Sequence, residues 1–392
     1  MPYYKRSQFF LITIENPGGS QKAAGVEGAL VITSLISGEH LRTEANEIAS
    51  LAKVPISEWT EESGLRQWGF SKERIAVLES FGVLLGKAGG ELEEYGKREE
   101  ALLEAHWPPC AAIFHLINHA QESRRGRKNI IIDAADEGKN SEDRAKNFLD
   151  TFGPPPAAFY EHPGAGSIQS LPRESSPTEL SRILRRRRTA RVFQSGYSLQ
   201  LPEVANLLEL VFSPTGFRVV GGMVQLLLKT SPSGGSLHPV EAYPLFFKCE
   251  GVPTGLYHYR ADCHGLEALE EMPENVARTL AIHFAQGQSF VGSCSAIVIL
   301  VARFDRHFWK YRDRENSYSV VLQDAGHLSQ TFQIVATDLG LGTFYTAALN
   351  PQAIVDRLSL QFPIQAPIGL LGLGESSGED SGIHPFGPSQ GR

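Results

Sequence analysis

Residues 185–193 read Arg185-Arg186-Arg187-Arg188-Thr189-Ala190-Arg191-Val192-Phe193, and the register of this stretch decides how the C-terminal half is read. A bare run of arginines is ordinarily a solvated or nucleic-acid-facing patch. Here the run ends a predicted helix, carries a hydroxyl among its guanidiniums and enters a strand-like Val-Phe pair. Arginine forks hold phosphate bidentately and a threonine hydroxyl adds a neutral donor. The stretch has the chemistry of a phosphate seat.

Outward from it, apolar spacing predicts helices over residues 177–186, with Leu180, Ile183 and Leu184 inward, and over residues 202–212. Residues 241–249 and 296–304 read as strands. The second of these (AIVILVARF) is apolar enough for a central strand covered on both faces. A long helix is predicted over residues 318–339, with Val321, Leu328, Phe332, Val335 and Leu339 on one stripe and Gly340 as its stop. Residues 367–374 close the chain with an apolar strand. The mixture predicts an α+β fold, a sheet packed by helices.

A length of 392 residues predicts two domains. Composition changes between Ser123 and Pro177: a basic cluster (Arg124, Arg125, Arg127, Lys128), an acidic tract over residues 136–143, Gly153-Pro154-Pro155-Pro156, then a Gly/Ser/Pro-rich segment. Such punctuation marks a linker. It puts the boundary near residue 170, with a smaller mixed domain over residues 1–165 and a larger one over 170–392. In the first, residues 9–14 read as a first strand and 29–36 as another. Residues 44–53 read as a short helix, and Ser71 caps a second one carrying Ile75, Leu78 and Phe81. With Gly82-Val83-Leu84-Leu85 following, these elements fit a winged helix.

The net charge of −7 argues against nucleic acid as a partner. No stretch approaches the roughly 18 apolar residues of a membrane span, and the N-terminal apolar run is too short for a signal peptide. A cytoplasmic protein is expected. Cys110, Cys249, Cys263 and Cys294 form no CxxC pair and stand at no finger-like spacing from histidine, which predicts buried reduced thiols and no metal site.

Two further segments carry chemistry. In Thr230-Ser231-Pro232-Ser233-Gly234-Gly235-Ser236-Leu237-His238-Pro239, adjacent glycines let backbone approach a flat ligand and serines supply hydrogen bonds. A plain turn would explain it equally. Gly340-Leu341-Gly342-Thr343-Phe344-Tyr345-Thr346-Ala347-Ala348 follows the long helix, yet it is not GxGxxG. P-loop, HExxH and GxSxG motifs are absent too, which disfavours nucleotide triphosphates, zinc proteolysis and serine hydrolysis.

Taken in order, these segments resemble the nitroreductase superfamily, and more closely its branch of peptide-maturing dehydrogenases, the azoline oxidases of streptolysin and microcin biosynthesis. The family's R-R-S-x-R-x-[FY] motif corresponds to Arg187 through Phe193, with Thr189 for serine. Its P-S-[AG]-G loop corresponds to Pro232, Ser233, Gly234, Gly235 and Ser236. Gly255-Leu256-Tyr257-His258-Tyr259 matches a G-L-Y-x-Y strand, and Gln323-Asp324-Ala325-Gly326-His327-Leu328-Ser329-Gln330 the helix signature. The resemblance implies a nitroreductase-like FMN-binding sheet, with Arg187, Arg188, Thr189 and Arg191 at the phosphate and ribityl end. Ser233 to Ser236 would meet the flavin as backbone, and Thr346-Ala347 would lie near its N5 edge. Relatives usually carry glycine where Ala347 stands, and a basic residue where Glu375-Ser376-Ser377 follow the last strand.

The branch also places a Lys-Tyr pair before the long helix. Here it is Lys310-Tyr311, read as lying in a basic loop with Arg306, Arg312 and Arg314. Oxidation at carbon needs a base for the departing proton, and these two are the candidates; His327 is read as packing. The resemblance implies a homodimer, a ribosomally made precursor peptide as substrate and a cyclodehydratase as partner. It leaves α,β-dehydrogenation of a peptide residue, an NAD(P)H-dependent nitro or quinone reductase, and a non-catalytic peptide-binding module as alternatives.

Overall fold

The computed structural model describes residues 2–15, 29–88, 91–92, 94–119, 141–154, 156–159, 169–172, 176, 178–312, 314 and 316–377. The basic cluster at residues 124–128 and most of the acidic and Gly/Ser/Pro-rich tracts lie outside them.

The N-terminal half runs β1 (Tyr3–Arg6), β2 (Phe10–Glu15), β3 (Ala29–Ser34), β4 (His40–Thr43), α1 (Ala45–Leu51), β5 (Thr60–Glu61), α2 (Glu62–Gln67), α3 (Lys72–Ser80), β6 (Leu84–Ala88), β7 (Glu91–Leu92), α4 (Glu94–Glu104), α5 (Pro109–His119) and α6 (Ser141–Phe152). The apolar run at residues 9–14 is thus the second strand; Tyr3–Arg6 precedes it and pairs with β5 and β6. Two sheets form, β5-β1-β6-β7 and β2-β3-β4. The Ser71 side chain accepts a hydrogen bond from the Arg74 amide at 3.1 Å and caps α3. Ile75 and Leu78 of α3 are buried with Leu65, Phe70, Val83 and Leu84. The pair α2–α3 and the β6–β7 hairpin follow one another as helices and wing.

The C-terminal half runs α7 (Glu179–Arg186), β8 (Leu199–Gln200), α8 (Leu201–Phe212), β9 (Gly216–Val220), β10 (Val224–Leu228), β11 (Val240–Phe246), β12 (Cys249–Glu250), β13 (Gly255–Arg260), β14 (Gly265–Glu271), α9 (Glu274–Phe284), β15 (Ala296–Arg303), α10 (Phe304–Tyr311), α11 (Ser317–Asp338), β16 (Gly342–Thr346), α12 (Pro351–Leu358) and β17 (Gln365–Gly374). Its main sheet has the order β14-β13-β11-β15-β17-β16, antiparallel at every pairing. The period of two along β15 explains its continuous apolar run. Ala296, Val298, Leu300 and Ala302 enter one core with Val321, Ala325, Leu328 and Phe332 of α11. Ile297, Ile299 and Val301 enter another with Ala277, Ala281 and Phe284 of α9 and Ile354 of α12. The result is a sheet covered by helices on both faces, the expected α+β class.

Several expectations are corrected in detail. Only Ile183 of the expected inward trio on α7 is buried; Leu180 and Leu184 are exposed. The strand predicted over residues 241–249 stops at Phe246, because Phe247 and Lys248 both donate their amides to the Ser295 carbonyl and break the ladder. Residues 304–311 are a helix rather than the end of a strand and a loop, since Phe304 and Phe308 bury one side of it. Cys110 and Cys263 are exposed, and Cys249 and Cys294 are buried. Among the described residues no helix is long and apolar enough to cross a membrane.

The two halves share one core. Trp107 lies 4.7 Å, ring to ring, from Phe304 and from Phe308. His115 Nδ1 is 3.2 Å from the Tyr318 hydroxyl.

Candidate functional site

Helix α11 is the scaffold on which the segments singled out in the sequence meet. Its buried Asp324 carboxylate accepts from Ser233 Oγ at 2.6 Å and from the Gly234 amide at 3.1 Å. Ser233 Oγ in turn accepts from the His238 amide at 2.9 Å. One turn along, exposed His327 contacts the Pro232 carbonyl through Nδ1 at 3.2 Å, so it ties down the loop rather than packing in the core. Burial raises the Asp324 carboxyl against the lowering effect of the Ser233 and Gly234 donors.

The loop so held is bent. Gly235, Ser236 and His238 all have positive φ (64°, 56° and 47°), a region that costs non-glycine residues energy and that marks functional positions when it recurs. The loop lies against α10, where His307, Lys310 and Tyr311 share a face at i, i+3, i+4. A Cβ on Gly235 would come 2.6 Å from Lys310 Nζ and 2.7 Å from Tyr311 Oη. The structure therefore brings the Lys-Tyr pair and the glycine loop into direct contact. Lys310 Nζ sits 5.4 Å over the Tyr311 ring. Of the arginines expected to bias this pair, Arg306 donates to the Leu237 carbonyl and Arg312 to the Trp309 carbonyl.

Gly235 has little room to change. Gly235→Ala combines a left-handed backbone with a Cβ that displaces both polar heads, and about 1 Å of misplacement costs on the order of 100-fold in rate. The expected outcome is that loss in turnover, with flavin content lowered as well because the same loop is expected to meet the flavin. A fully active Gly235→Ala protein would show that the contact with Lys310 and Tyr311 is incidental.

The arginine segment meets α11 further along. Arg187 donates to Gln333 Oε1 at 3.4 Å, and Asp324 and Gln333 are about 14 Å apart at helical rise. Beyond Arg187 the chain runs beside β16: Thr189 bridges Thr343 in parallel, and the Ala190 amide donates to the Thr343 carbonyl at 2.9 Å. Arg191 is half-buried, its guanidinium 6.0 Å over the Phe290 ring. Exposed Arg188 folds back on the Arg185 and Arg187 carbonyls. The residues after β17 pair with this segment, Gln194 donating to the Glu375 carbonyl and Ser377 to that of Val192. Thr346 Oγ1 accepts from Gln288 Nε2 at 3.4 Å and from the Ala348 amide at 3.1 Å. Ala347 is exposed.

Among the described residues Arg187, Arg188 and Arg191 have no carboxylate partner, and the Thr343 hydroxyl beside them is buried without one. Guanidiniums without acids, with an unmatched hydroxyl, suit a phosphate. The donor set fits the phosphate end of FMN.

Burial holds two histidines near the loop neutral. His238 is lowered to about 4 by burial and by the charge of Lys229, and its Nε2 donates to the Leu227 carbonyl at 3.1 Å. His307 is lowered to about 4 by burial and the charge of Lys310. An unfolded histidine titrates near 6.5, so between about 6.5 and 4 the unfolded chain binds more protons. Stability is then present above the unfolded value and is lost as the pH falls toward 4. Asp324, raised by burial, acts in the opposite sense. Urea midpoints are expected to fall between pH 7 and pH 4.5, and to fall less in His307→Phe; equal midpoints would contradict the burial argument.

Sequence reasoning assigned no role to Asp324, Gln333, Gln288 or His307. The spacing of His307 from Lys310 and Tyr311 was the available signal for the last, once residues 304–311 are read as a helix.

Residues 184–375 match the model of the nitroreductase family. A nitroreductase homologue of Methanocaldococcus jannaschii is 30% identical over 193 residues, covering 49% of this chain and 90% of that protein. The trifolitoxin-processing protein of Rhizobium leguminosarum bv. trifolii is 31% identical over 143 residues, covering 34% of this chain; the chain spans 35% of that relative's length. The E. coli microcin synthetase complex with a truncated precursor bound superposes with a TM-score of 0.50 at 19% identity, covering 72% of this chain and 100% of that one. This last likeness concerns the fold.

Proposed function

The chain belongs to the nitroreductase family, and on that premise we propose that it is a cytoplasmic FMN-dependent dehydrogenase oxidising residues in a ribosomally made precursor peptide. The favoured reaction is azoline to azole. The observation that carries the reading is the convergence of Lys310 Nζ and Tyr311 Oη on Gly235, a proton-handling pair set against a glycine loop. Similarity to the trifolitoxin-processing protein supports a peptide substrate.

FMN, when bound, supplies the two-electron acceptor. Arg187, Arg188, Thr189 and Arg191 would hold its phosphate end, and the backbone of Ser233 to Ser236 and of Thr346-Ala347 would meet the rest of it. Lys310 or Tyr311 takes the proton that leaves substrate carbon as the hydride equivalent departs. Asp324 fixes the loop through Ser233 and Gly234. The working form is a homodimer that includes α11 in its interface, and a cyclodehydratase supplies the azoline. Mass spectrometry of a precursor peptide before and after treatment is the test. Loss of two hydrogens per event is expected; an unchanged mass with NAD(P)H-driven reduction of quinones would put the reductase reading first.

The N-terminal half helps to hold the peptide. Strand β4 is an edge of its sheet, and an extended peptide can add to such an edge. Because Trp107 packs on Phe304 and Phe308, the test keeps the chain whole. Hydrogen exchange at residues 40–43 is expected to slow when precursor peptide is added, and unchanged exchange there would remove this role.

A further inference from the structure

The face of α10 that carries Lys310 and Tyr311 also carries His307, which the proposed chemistry does not use. His307 is wholly buried; its ring faces the Ser317 backbone, yet neither ring nitrogen reaches full hydrogen-bond geometry. Two unmatched buried polar atoms on one side chain are uncommon and call for a reason. The ring lies 4.9 Å from that of Tyr311, tilted by 33°. Its Cε1, the carbon between the two nitrogens, is 3.4 Å from where a Gly234 Cβ would stand. The imidazole is thus wedged between the Tyr311 ring and the glycine loop. Gly234 has no side chain to fill that gap, and Val320 of α11 closes the rest of it, 2.4 Å from the same point.

We propose that His307 is a positioning residue: a neutral ring that sets the Tyr311 ring and the Gly234-Gly235 backbone in the register at which Lys310 Nζ and Tyr311 Oη converge. The inference rests on the reading of Lys310 and Tyr311 as the proton-handling pair. The wedge has to be flat, to slide between a ring and a glycine backbone, and uncharged, because Lys310 shares the face. The titratable groups on its own helix are Lys310 and Tyr311; the loop contributes Gly234, and α11 contributes Val320, the backbone of Ser317 and, bonded to Ser233 and Gly234, the Asp324 carboxylate. Burial and the Lys310 charge keep the ring neutral down to a pH of about 4. Phenylalanine is the conservative replacement, keeping ring and neutrality and removing the titration.

The experiment reads the pair directly. Lysines of the whole protein are reductively methylated with 13C-formaldehyde, and the Lys310 resonance is assigned through Lys310→Arg. In the parent, the Lys310 and Tyr311 ring resonances are expected to shift with an inflection near pH 4. His307→Phe should keep both near their parent positions at pH 7 and lose that inflection. His307→Ala should move the Lys310 resonance toward those of surface lysines and lower kcat for precursor-peptide oxidation on the order of 100-fold, with KM changing little. Parent-like resonances in His307→Ala, or resonances displaced as far in His307→Phe as in His307→Ala, would overturn the proposal. Should His307→Ala not fold, the smaller change His307→Asn takes its place in the same measurement. The resonances report His307 whether or not the peptide is turned over, so failure of this inference is distinct from failure of the assigned reaction.

Discussion

Lys310→Ala is expected to lower peptide oxidation by about 100- to 10,000-fold, the ordinary worth of a general base, with flavin content unchanged. Neither Lys310 nor Tyr311 touches the arginine segment, which lies along α11 and β16, so loss of the amine leaves the phosphate seat as it was. Tyr311→Phe separates the two candidates, because it removes only the phenolic oxygen and keeps the ring that lies tilted against His307. If Tyr311 serves only as that ring, the phenylalanine variant works nearly as the parent does. If the hydroxyl takes the proton, Tyr311→Phe falls as far as Lys310→Ala and the pair acts as a unit. Parent-rate oxidation by both variants would leave the azoline-oxidase reading without its main support.

The C-terminal half was legible because its elements are long and their periods unmixed. The β15 run shows no alternation in sequence, and the two cores that its odd and even residues enter account for that. The α11 stripe and its glycine stop were equally plain. Gly340, at φ 77°, ends that helix, and the Leu341 amide returns to the Ala336 carbonyl. Short elements were not legible. Helix α10 has eight residues and merges into a strand of the same apolar character, so the phenylalanines at 304 and 308 read as the strand's continuation. The hairpin β9–β10 was also missed. Of its residues Phe217, Val219, Val220 and Leu228 are all exposed, so no inside-outside alternation marks it.

The site divides along similar lines. The residues that make it were on the page as five ordered motifs, because glycine, serine and arginine in those patterns answer to local backbone and charge requirements. What ties them together was not, because it is long-range. The bonds from Asp324 to Ser233 and Gly234 join residues 91 and 90 apart, and that from Arg187 to Gln333 residues 146 apart. No window of sequence holds both ends.

The phosphate seat supplies the other large effect. Arg187 and Arg191 are half-buried and have no acid partner among the described residues, which sets them apart from Arg182 or Arg278, each paired with a glutamate on its own helix. A charge-assisted contact is worth about 1.5–3 kcal/mol, and each 1.4 kcal/mol is tenfold in affinity. Arg187→Ala and Arg191→Ala should each weaken FMN binding by roughly 10- to 150-fold, and the double variant by more. Arg188→Ala is the internal control: its guanidinium is exposed and already bonded to the Arg185 and Arg187 carbonyls, so a smaller loss is expected. Folding should be little affected in any of them, since no ion pair is broken; Arg191 surrenders only its contact with Phe290. Flavin absorbance of the purified proteins and titration with FMN measure the effect. Full occupancy in Arg187→Ala/Arg191→Ala would mean that the phosphate is held elsewhere, and that the run from Arg185 to Arg191 is the solvated patch that its composition alone describes.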